Sequence, residues 1–208
     1  MNTSPSLQSL FEFLRLMSKF QSIERKLYVV GLERRENDVE HSFLLAISAW
    51  YIISSEQLSL DINKAIKYAL VHDLVEIYAG DVSFYDKKSL RESKKEREAL
   101  SLFKLEKDFS KWQEFSGLVH AYEEKGDPES RFVYALDKLL PIVNNYLDNG
   151  KTWKKDKITL EQVIEYKQDK VALSPDIKIY FDELISILKD KEVDFFPTDW
   201  KSRQFVLQ

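Results

Sequence analysis

Val71-His72-Asp73-Leu74-Val75-Glu76-Ile77-Tyr78-Ala79-Gly80-Asp81 sets one imidazole and two carboxylates within five residues of an apolar run, and a third carboxylate follows the glycine. Such groups are costly to bury unless something pairs with them. One cation can satisfy imidazole and carboxylate together. Upstream, Asp61 stands where a helix cap belongs, and Ala65, Ile66, Tyr68, Ala69, Leu70 and His72 follow at helical spacing. The pattern predicts one helix over residues 61–78, ended by Gly80 in the place of a C-terminal cap.

The same periodicity extends in both directions. Leu7, Leu10, Phe11, Leu14, Met17 and Phe20 recur at three- and four-residue steps, which predicts an amphipathic helix over residues 6–20. Asn37 or Asp38 caps a helix carrying His41, Phe43, Leu44, Leu45, Ile47, Ala49, Trp50 and Ile52. A helix apolar over most of its circumference belongs at the centre of a fold. Residues 86–108 read as a charged, solvated helix and residues 110–124 as another. Asp127-Pro128 opens a further helix, within which Pro141 predicts a kink or a break. Residues 159–172 read as helix, and Ser174-Pro175 starts the last long one. Residues 21–35 read as a loop or short extended connection, with Leu27-Tyr28-Val29-Val30 the one run that hints at a strand. The aromatic-bearing tail from Phe195 onward is expected to pack on the body or on a second subunit.

Composition agrees with a helical protein. The 208 residues include only five glycines and five prolines, so turns are few and elements long. With 44% hydrophobic residues the chain is long enough to bury a substantial core. The expectation is an all-α protein with a single domain over residues 1–208. Net charge is -4, which argues against a general nucleic-acid binder. No run of about 18 apolar residues occurs, so no membrane span is expected. Cysteine is absent. That removes disulfides, thiolate nucleophiles and cysteine metal sites, and it fits a reducing, cytoplasmic compartment.

Two of the three histidines, His41 and His72, lie on the two most apolar helices. A lone histidine on an apolar face is most often a core residue with a satisfied hydrogen bond. Here the cases are linked, because Asp73 follows His72 and Glu76 lies one helical turn on, on the same face. Asp137 interrupts the apolar helix Tyr134-Ala135-Leu136-Asp137-Lys138-Leu139-Leu140; alone, it reads as a salt bridge to Arg131 or Lys138. Together His41, His72, Asp73 and Asp137 offer two imidazoles and two carboxylates from three helices. That set suits one divalent ion of Mn, Co, Fe, Ni, Zn or Mg and does not choose among them. Glu76 and Asp81 are the carboxylates left to handle protons. A helix-end salt bridge for Glu76, and a turn cap for Asp81, are the structural alternatives.

This arrangement resembles the H…HD…D signature of the HD-domain metal-dependent phosphohydrolases, in their 5′-deoxynucleotidase-like branch. A bare HD dipeptide carries little weight; its surroundings carry more. Arg35-Glu36-Asn37-Asp38-Val39-Glu40-His41-Ser42 resembles the segment bearing the first histidine. The run from His72 to Asp81 resembles the family box of HD, two residues, E, three residues, GD. Leu118-Val119-His120-Ala121-Tyr122-Glu123-Glu124, followed by Ser130-Arg131-Phe132-Val133-Tyr134-Ala135-Leu136-Asp137, resembles the region of the last ligand. The likeness covers residues 8–150, with residues 151–208 expected as helices packed on that core.

The resemblance implies an HD-domain helical bundle that hydrolyses (deoxy)nucleoside 5′-monophosphates to nucleoside and phosphate. It implies that Glu76 orients or deprotonates the attacking water, and that Asp81 contacts the sugar-hydroxyl side of the substrate or assists the water. It also implies a phosphate-binding arginine before the first histidine. Arg25 is the nearest match, with Lys26, Arg34 and Arg35 as alternatives. Well-known deoxynucleotidase members carry an aromatic after that arginine; here Lys26 and Leu27 follow, and the first aromatic is Tyr28. That departure weakens the expectation of a deoxyribose preference more than that of phosphomonoester hydrolysis. Two-metal relatives need further histidines, and only His120 remains, at a helical position that is not a ligand in the family; one metal is therefore expected. A homodimer is a further implication. Two other activities stay open: hydrolysis of another nucleotide ester, pyrophosphorylated or cyclic, and nucleotide binding without turnover. The retention of His41, His72, Asp73, Glu76, Asp81 and Asp137 weighs against the second.

Overall fold

The computed structural model describes residues 4–81 and 93–197. Among these, one compact unit is built from residues 4–25, 36–81 and 93–124, and another from residues 26–35 and 125–197. The described residues are mainly helical, with one two-stranded sheet among them. Strands β1 (Glu24–Tyr28) and β2 (Arg35–Asn37) form that sheet, where the sequence suggested a loop or short extended connection. Leu27 and Tyr28 are buried, and the tip closes with Val29 N–H on Arg34 O and Leu32 N–H on Val29 O. Strand pairing satisfies backbone groups that a loop carrying buried side chains would leave bare.

The first unit holds α1 (Pro5–Gln21), α2 (Asp38–Ser55), α3 (Ile62–Val71), α4 (Glu76–Ala79), α5 (Lys94–Asp108) and α6 (Phe115–Glu124). Ser4 caps α1 through the Leu7 N–H, and Pro5 takes the first turn. Of the two candidate caps for α2, Asn37 is used, in a reciprocal capping box with Glu40. Asp61 caps α3 through Lys64. Helix α2 packs on α1 and α3, α3 on α6, and α4 on α1 and α5. A core of Leu16, Phe20, Val71, Leu74, Val75, Leu105, Phe109, Phe115 and Val119 closes over these contacts. Burying each such Leu or Phe contributes about 1.5–3 kcal/mol.

Three expectations change here. The apolar stripe of α1 does not all turn inward: Leu16 and Phe20 are buried, while Leu7, Leu10, Phe11 and Leu14 stay exposed. Helix α2 is buried on one side only, through His41, Ser42, Leu45, Ala46, Ala49 and Ile53, and shows Phe43, Trp50 and Tyr51 outward. The helix expected over residues 61–78 is not continuous, since α3 ends at Val71 and α4 begins at Glu76. Of the expected charged helix over residues 86–108, residues 86–92 lie outside the described residues. Its described part, α5, buries only Ser101 and Leu105.

The second unit is organised on α7 (Pro128–Leu147), against which α8 (Lys151–Asp156), α9 (Leu160–Val171) and α10 (Pro175–Asp190) pack. Asp127 caps α7 through Ser130 N–H, and Thr159 with Gln162 makes a second capping box at α9. Helix α8 is an element the sequence pattern did not reveal. Pro141 does not interrupt α7. A mid-helix proline costs about 3 kcal/mol, but Phe132, Val133, Leu136, Leu139 and Ile142 are all buried along one stripe. At about 1.5–3 kcal/mol each they outweigh it. Asn145 Nδ2 adds a bond to the Pro141 carbonyl. A last turn, α11 (Glu192–Phe195), brings Phe195 onto Tyr146, stacked at 5.1 Å, and Phe196 onto Trp153 at 4.5 Å. The part of the aromatic tail beyond residue 197 lies outside the described residues.

Gly150 sits at φ +70, and a Cβ there would lie 2.0 Å from the Phe195 carbonyl oxygen. Gly31 has a similar φ of +75 but open space around it. Gly150→Ala is therefore expected to lower Tm by about 6 °C or more, because the backbone of α11 must move. Gly31→Ala should lower it by only about 2–4 °C. Circular dichroism melts of the two variants check the difference.

Candidate metal centre

After Val71 the chain keeps a right-handed turn, with His72 at φ -58 and ψ -41. What changes is the hydrogen-bond step. Leu74 N–H reaches Val71 O, Glu76 N–H reaches Asp73 O, and Ile77 N–H reaches Leu74 O, each three residues back. This is the tighter winding of a 3₁₀ turn, which eclipses residues three apart. Asp73 and Glu76 therefore line up, where a regular helix would set His72 and Asp73 to either side of Glu76. Gly80 ends the segment by donating its N–H to Glu76 O.

The imidazoles converge on one carboxylate oxygen. His72 Nδ1 lies 2.8 Å from the Ala69 carbonyl, which can only accept, so Nδ1 carries the proton. In the neutral ring Nε2 then presents a lone pair, and it sits 3.0 Å from Asp73 Oδ2. His41 Nε2 lies 3.8 Å from the same oxygen. The two rings are 5.4 Å apart, and Tyr122 of α6 packs edge-on against His72 at 5.7 Å. The ligand atoms of His41, His72 and Asp73 all lie within 4.8 Å of one another. Lone pairs crowded in this way repel unless a positive charge lies among them. A backbone carbonyl on the far nitrogen is also how metal-binding histidines are commonly oriented. The donor set thus fits a divalent cation.

Further carboxylates surround Asp73. Asp38, Asp73 and Glu76 bring oxygens within 4.8 Å of one another, and Glu36 is buried close by. Arg25 on β1 answers them, with Nη1 3.0 Å from Asp73 Oδ2 and 3.2 Å from Asp38 Oδ1, and Nε 3.7 Å from Glu36 Oε2. Burial and the Asp73 charge push the Asp38 carboxyl up to about 7 despite the Arg25 guanidinium. Glu76, 2% exposed, is raised well above the ordinary carboxylate range by burial first, then by Asp73, Asp81 and Asp38. Lys94 of α5 opposes this from 3.5 Å. Burial works against the Lys94 charge, but Glu76 and Glu98 outweigh it and hold its pKa above the ordinary lysine value.

The structure therefore brings His41, His72, Asp73, Glu76 and Arg25 together within the first unit. Asp81 is half-buried, and its charge bears on Asp38, Glu76 and Lys94. Asp137 belongs to the second unit, buried on α7 with the Lys138 ammonium at 2.5 Å. Of the alternatives to Arg25, Arg34 donates to the Arg35 carbonyl, and Arg35 lies over the Tyr28 ring at 5.5 Å; these and Lys26 are in the second unit. His120 is exposed and 3.8 Å from Glu106. Asp38, Glu36, Tyr122 and Lys94 were not anticipated. Asp38 looked like a cap, and Lys94 like one more charge on a solvated helix. No sequence signal marked Lys94, because the expected helix over residues 86–108 put it in the interior, and only the start of α5 at Lys94 sets it in a first turn.

A family model described as HD domain matches residues 17–178. The 5′-deoxynucleotidase HDDC2 of Homo sapiens is 30% identical over 135 residues, which cover 63% of this chain and 64% of that protein. The Mus musculus protein of the same name is 30% identical over 140 residues, covering 65% and 68%. The chain thus spans a little under two thirds of the length of the human relative. Among solved structures, a protein from Magnetospirillum magnetotacticum MS-1, described as a predicted metal-dependent phosphohydrolase, shares 28% identity at a TM-score of 0.78, over 92% of this chain and 98% of that one. A protein from Pyrococcus horikoshii OT3 shares 25% identity at a TM-score of 0.62, over 86% and 98%.

His72→Ala and Asp73→Ala are each expected to strip the divalent ion from purified protein, measured by plasma emission spectrometry. Retention of the ion in Asp73→Ala would show that the site is misassigned.

Proposed function

This chain belongs to the HD-domain family, and on that footing we propose that it is a metal-dependent phosphohydrolase acting on nucleoside 5′-monophosphates, releasing nucleoside and phosphate. The observation that carries this reading is the convergence of His41 Nε2 and His72 Nε2 on Asp73 Oδ2, beside a buried glutamate. The names of the human and mouse relatives give the substrate class. His41, His72 and Asp73 would hold the ion, and Asp137 is proposed as a further ligand on the family resemblance alone. A bound ion would supply Lewis acidity to a phosphoryl oxygen and make water a better nucleophile. One ion is proposed, because the neighbouring Asp38–Asp73–Glu76 carboxylates are already faced by Arg25 and Lys94.

Glu76 orients the attacking water and takes its proton as the new O–P bond forms. The bond from phosphorus to the 5′ oxygen breaks, and that alkoxide takes a proton from solvent water as it leaves. Asp81 contacts the sugar side or assists the water. Arg25, beside Asp73, offers the fixed positive charge that a phosphate dianion needs. Leu27 and Tyr28 are buried, so the strand residues after Arg25 present no open aromatic face against which a ribose 2′-hydroxyl would be rejected. Sugar discrimination is accordingly weak in this reading.

The protein is also proposed to dimerise. The exposed apolar side chains of α2 (Phe43, Leu44, Ile47, Trp50, Tyr51) and of α1 (Leu7, Leu10, Leu14) are the surface proposed to meet a second copy. The absence of cysteine supports a cytoplasmic location. Among the described residues, no helix is long and apolar enough to cross a membrane.

With Mn or Co added, purified protein should release phosphate from both dAMP and AMP, and chelation should abolish the release. No turnover of any nucleotide across a panel of divalent metals would overturn the reading. Light scattering after gel filtration should give twice the chain mass, and Trp50→Glu should halve it, because an interface cannot bury that charge without a partner.

A further inference from the structure

Helix α5 breaks the rules of helix starts. Its N-cap, Ser93, has helical dihedrals and makes no side-chain cap bond, and Lys94 and Lys95 follow in the first turn. Cations there oppose the helix dipole and are normally avoided. The face that begins at Lys94 explains the exception. Lys94, Arg97 and Ser101, at steps of three and four, share one side of α5. Each reaches the turn that carries Glu76. Lys94 Nζ lies 3.5 Å from Glu76 Oε1, Arg97 Nη1 donates to the Ala79 carbonyl at 2.9 Å, and the buried Ser101 hydroxyl donates to the Val75 carbonyl. Glu98 steadies Lys94 from one turn on, at 3.4 Å.

We propose that Lys94 is a positioning residue for Glu76, holding its carboxylate by one oxygen so that the other is left to the reacting water. The inference rests on the reading of Glu76 as the group that handles that water. Glu76 Oε2 is buried and has no hydrogen-bond partner among the described residues, while Oε1 faces the ammonium. Lys94 keeps a third of its side chain exposed, so it approaches Glu76 from the solvent side. Arg97 and Ser101 fix the backbone on either side of Glu76, leaving the side-chain torsions as the remaining freedom, and Lys94 restrains those. A carboxylate misplaced by about 1 Å loses on the order of 10²-fold in rate.

The test is a double-mutant cycle of Lys94→Met and Glu76→Gln, read in two ways. In turnover, Lys94→Met should lower kcat by about 20- to 100-fold with KM within about threefold. Lys94→Arg should recover most of the loss, and in the Glu76→Gln background Lys94→Met should change kcat by less than about twofold. A raised KM at unchanged kcat would place Lys94 on the substrate and overturn the inference, as would an unchanged kcat. The second readout is Tm of the metal-free protein. Lys94→Met should lower it by about 3 °C or more in the wild-type background, and by less than about 1 °C when residue 76 is Gln. Additive shifts would overturn the pairing. If the wild type releases no phosphate from any nucleotide, the hydrolase reading falls, and the Tm cycle still decides whether Lys94 acts on Glu76.

Discussion

One carboxylate oxygen organises the first unit. Asp73 Oδ2 accepts from the Arg25 guanidinium at 3.0 Å, and the Nε2 atoms of His72 and His41 lie 3.0 and 3.8 Å from the same oxygen. Around it Glu36, Asp38 and Glu76 are almost fully buried. Buried like charges raise one another's pKa and disfavour the compact state unless cations are built in among them. Arg25 supplies one such cation from a strand and Lys94 another from a helix, and the imidazole lone pairs ask for a third. The two-stranded sheet thereby gains a purpose. It holds Arg25 beside the start of α2, where the capping box at Asn37 and Glu40 sets the register that turns Asp38 and His41 inward.

The backbone contributes as much as the charges. Between α3 and α4 the hydrogen-bond step shortens, and this aligns Asp73 with Glu76. In a regular helix Asp73 would stand about 60° round the axis from Glu76, and the tighter turn brings the two into line. The tighter turn has poorer hydrogen bonding than an α-helix, and outside groups stabilise it. Val71, Leu74 and Val75 are buried in the core, and α5 delivers Arg97 and Ser101 to the carbonyls of Ala79 and Val75. Local rules are broken at the start of α5 and in this turn, and both breaches lie beside the acidic residues of the site, as expected where function competes with regular structure.

Much of this was legible in advance. Helix content followed from three- and four-residue periodicity and from scarce Gly and Pro. The caps at Asp61 and Asp127 were readable because a short polar side chain before an apolar run has few other uses. The linked occurrence of His41 and His72-Asp73 marked the site, since buried imidazoles and carboxylates need a common partner. Less legible was which face of an apolar helix is covered. Leu10 and Leu14 look as core-bound as Phe20, yet only Phe20 is buried, because burial depends on what packs opposite. Pro141 showed the same limit: its local cost was right, and the buried stripe of α7 exceeded it.

The sequence by itself determined the helical class, most helix starts, and the residue types able to hold a cation. These depend on interactions a few residues long, which composition and spacing encode directly. Only the tertiary structure decided that Arg25 faces Asp73 across 48 positions of sequence, that Asp38 joins the acidic cluster, and that Lys94 reaches Glu76. Each of these joins residues distant in the chain or out of helical register. Their pairing follows from how whole elements pack, which no local pattern specifies.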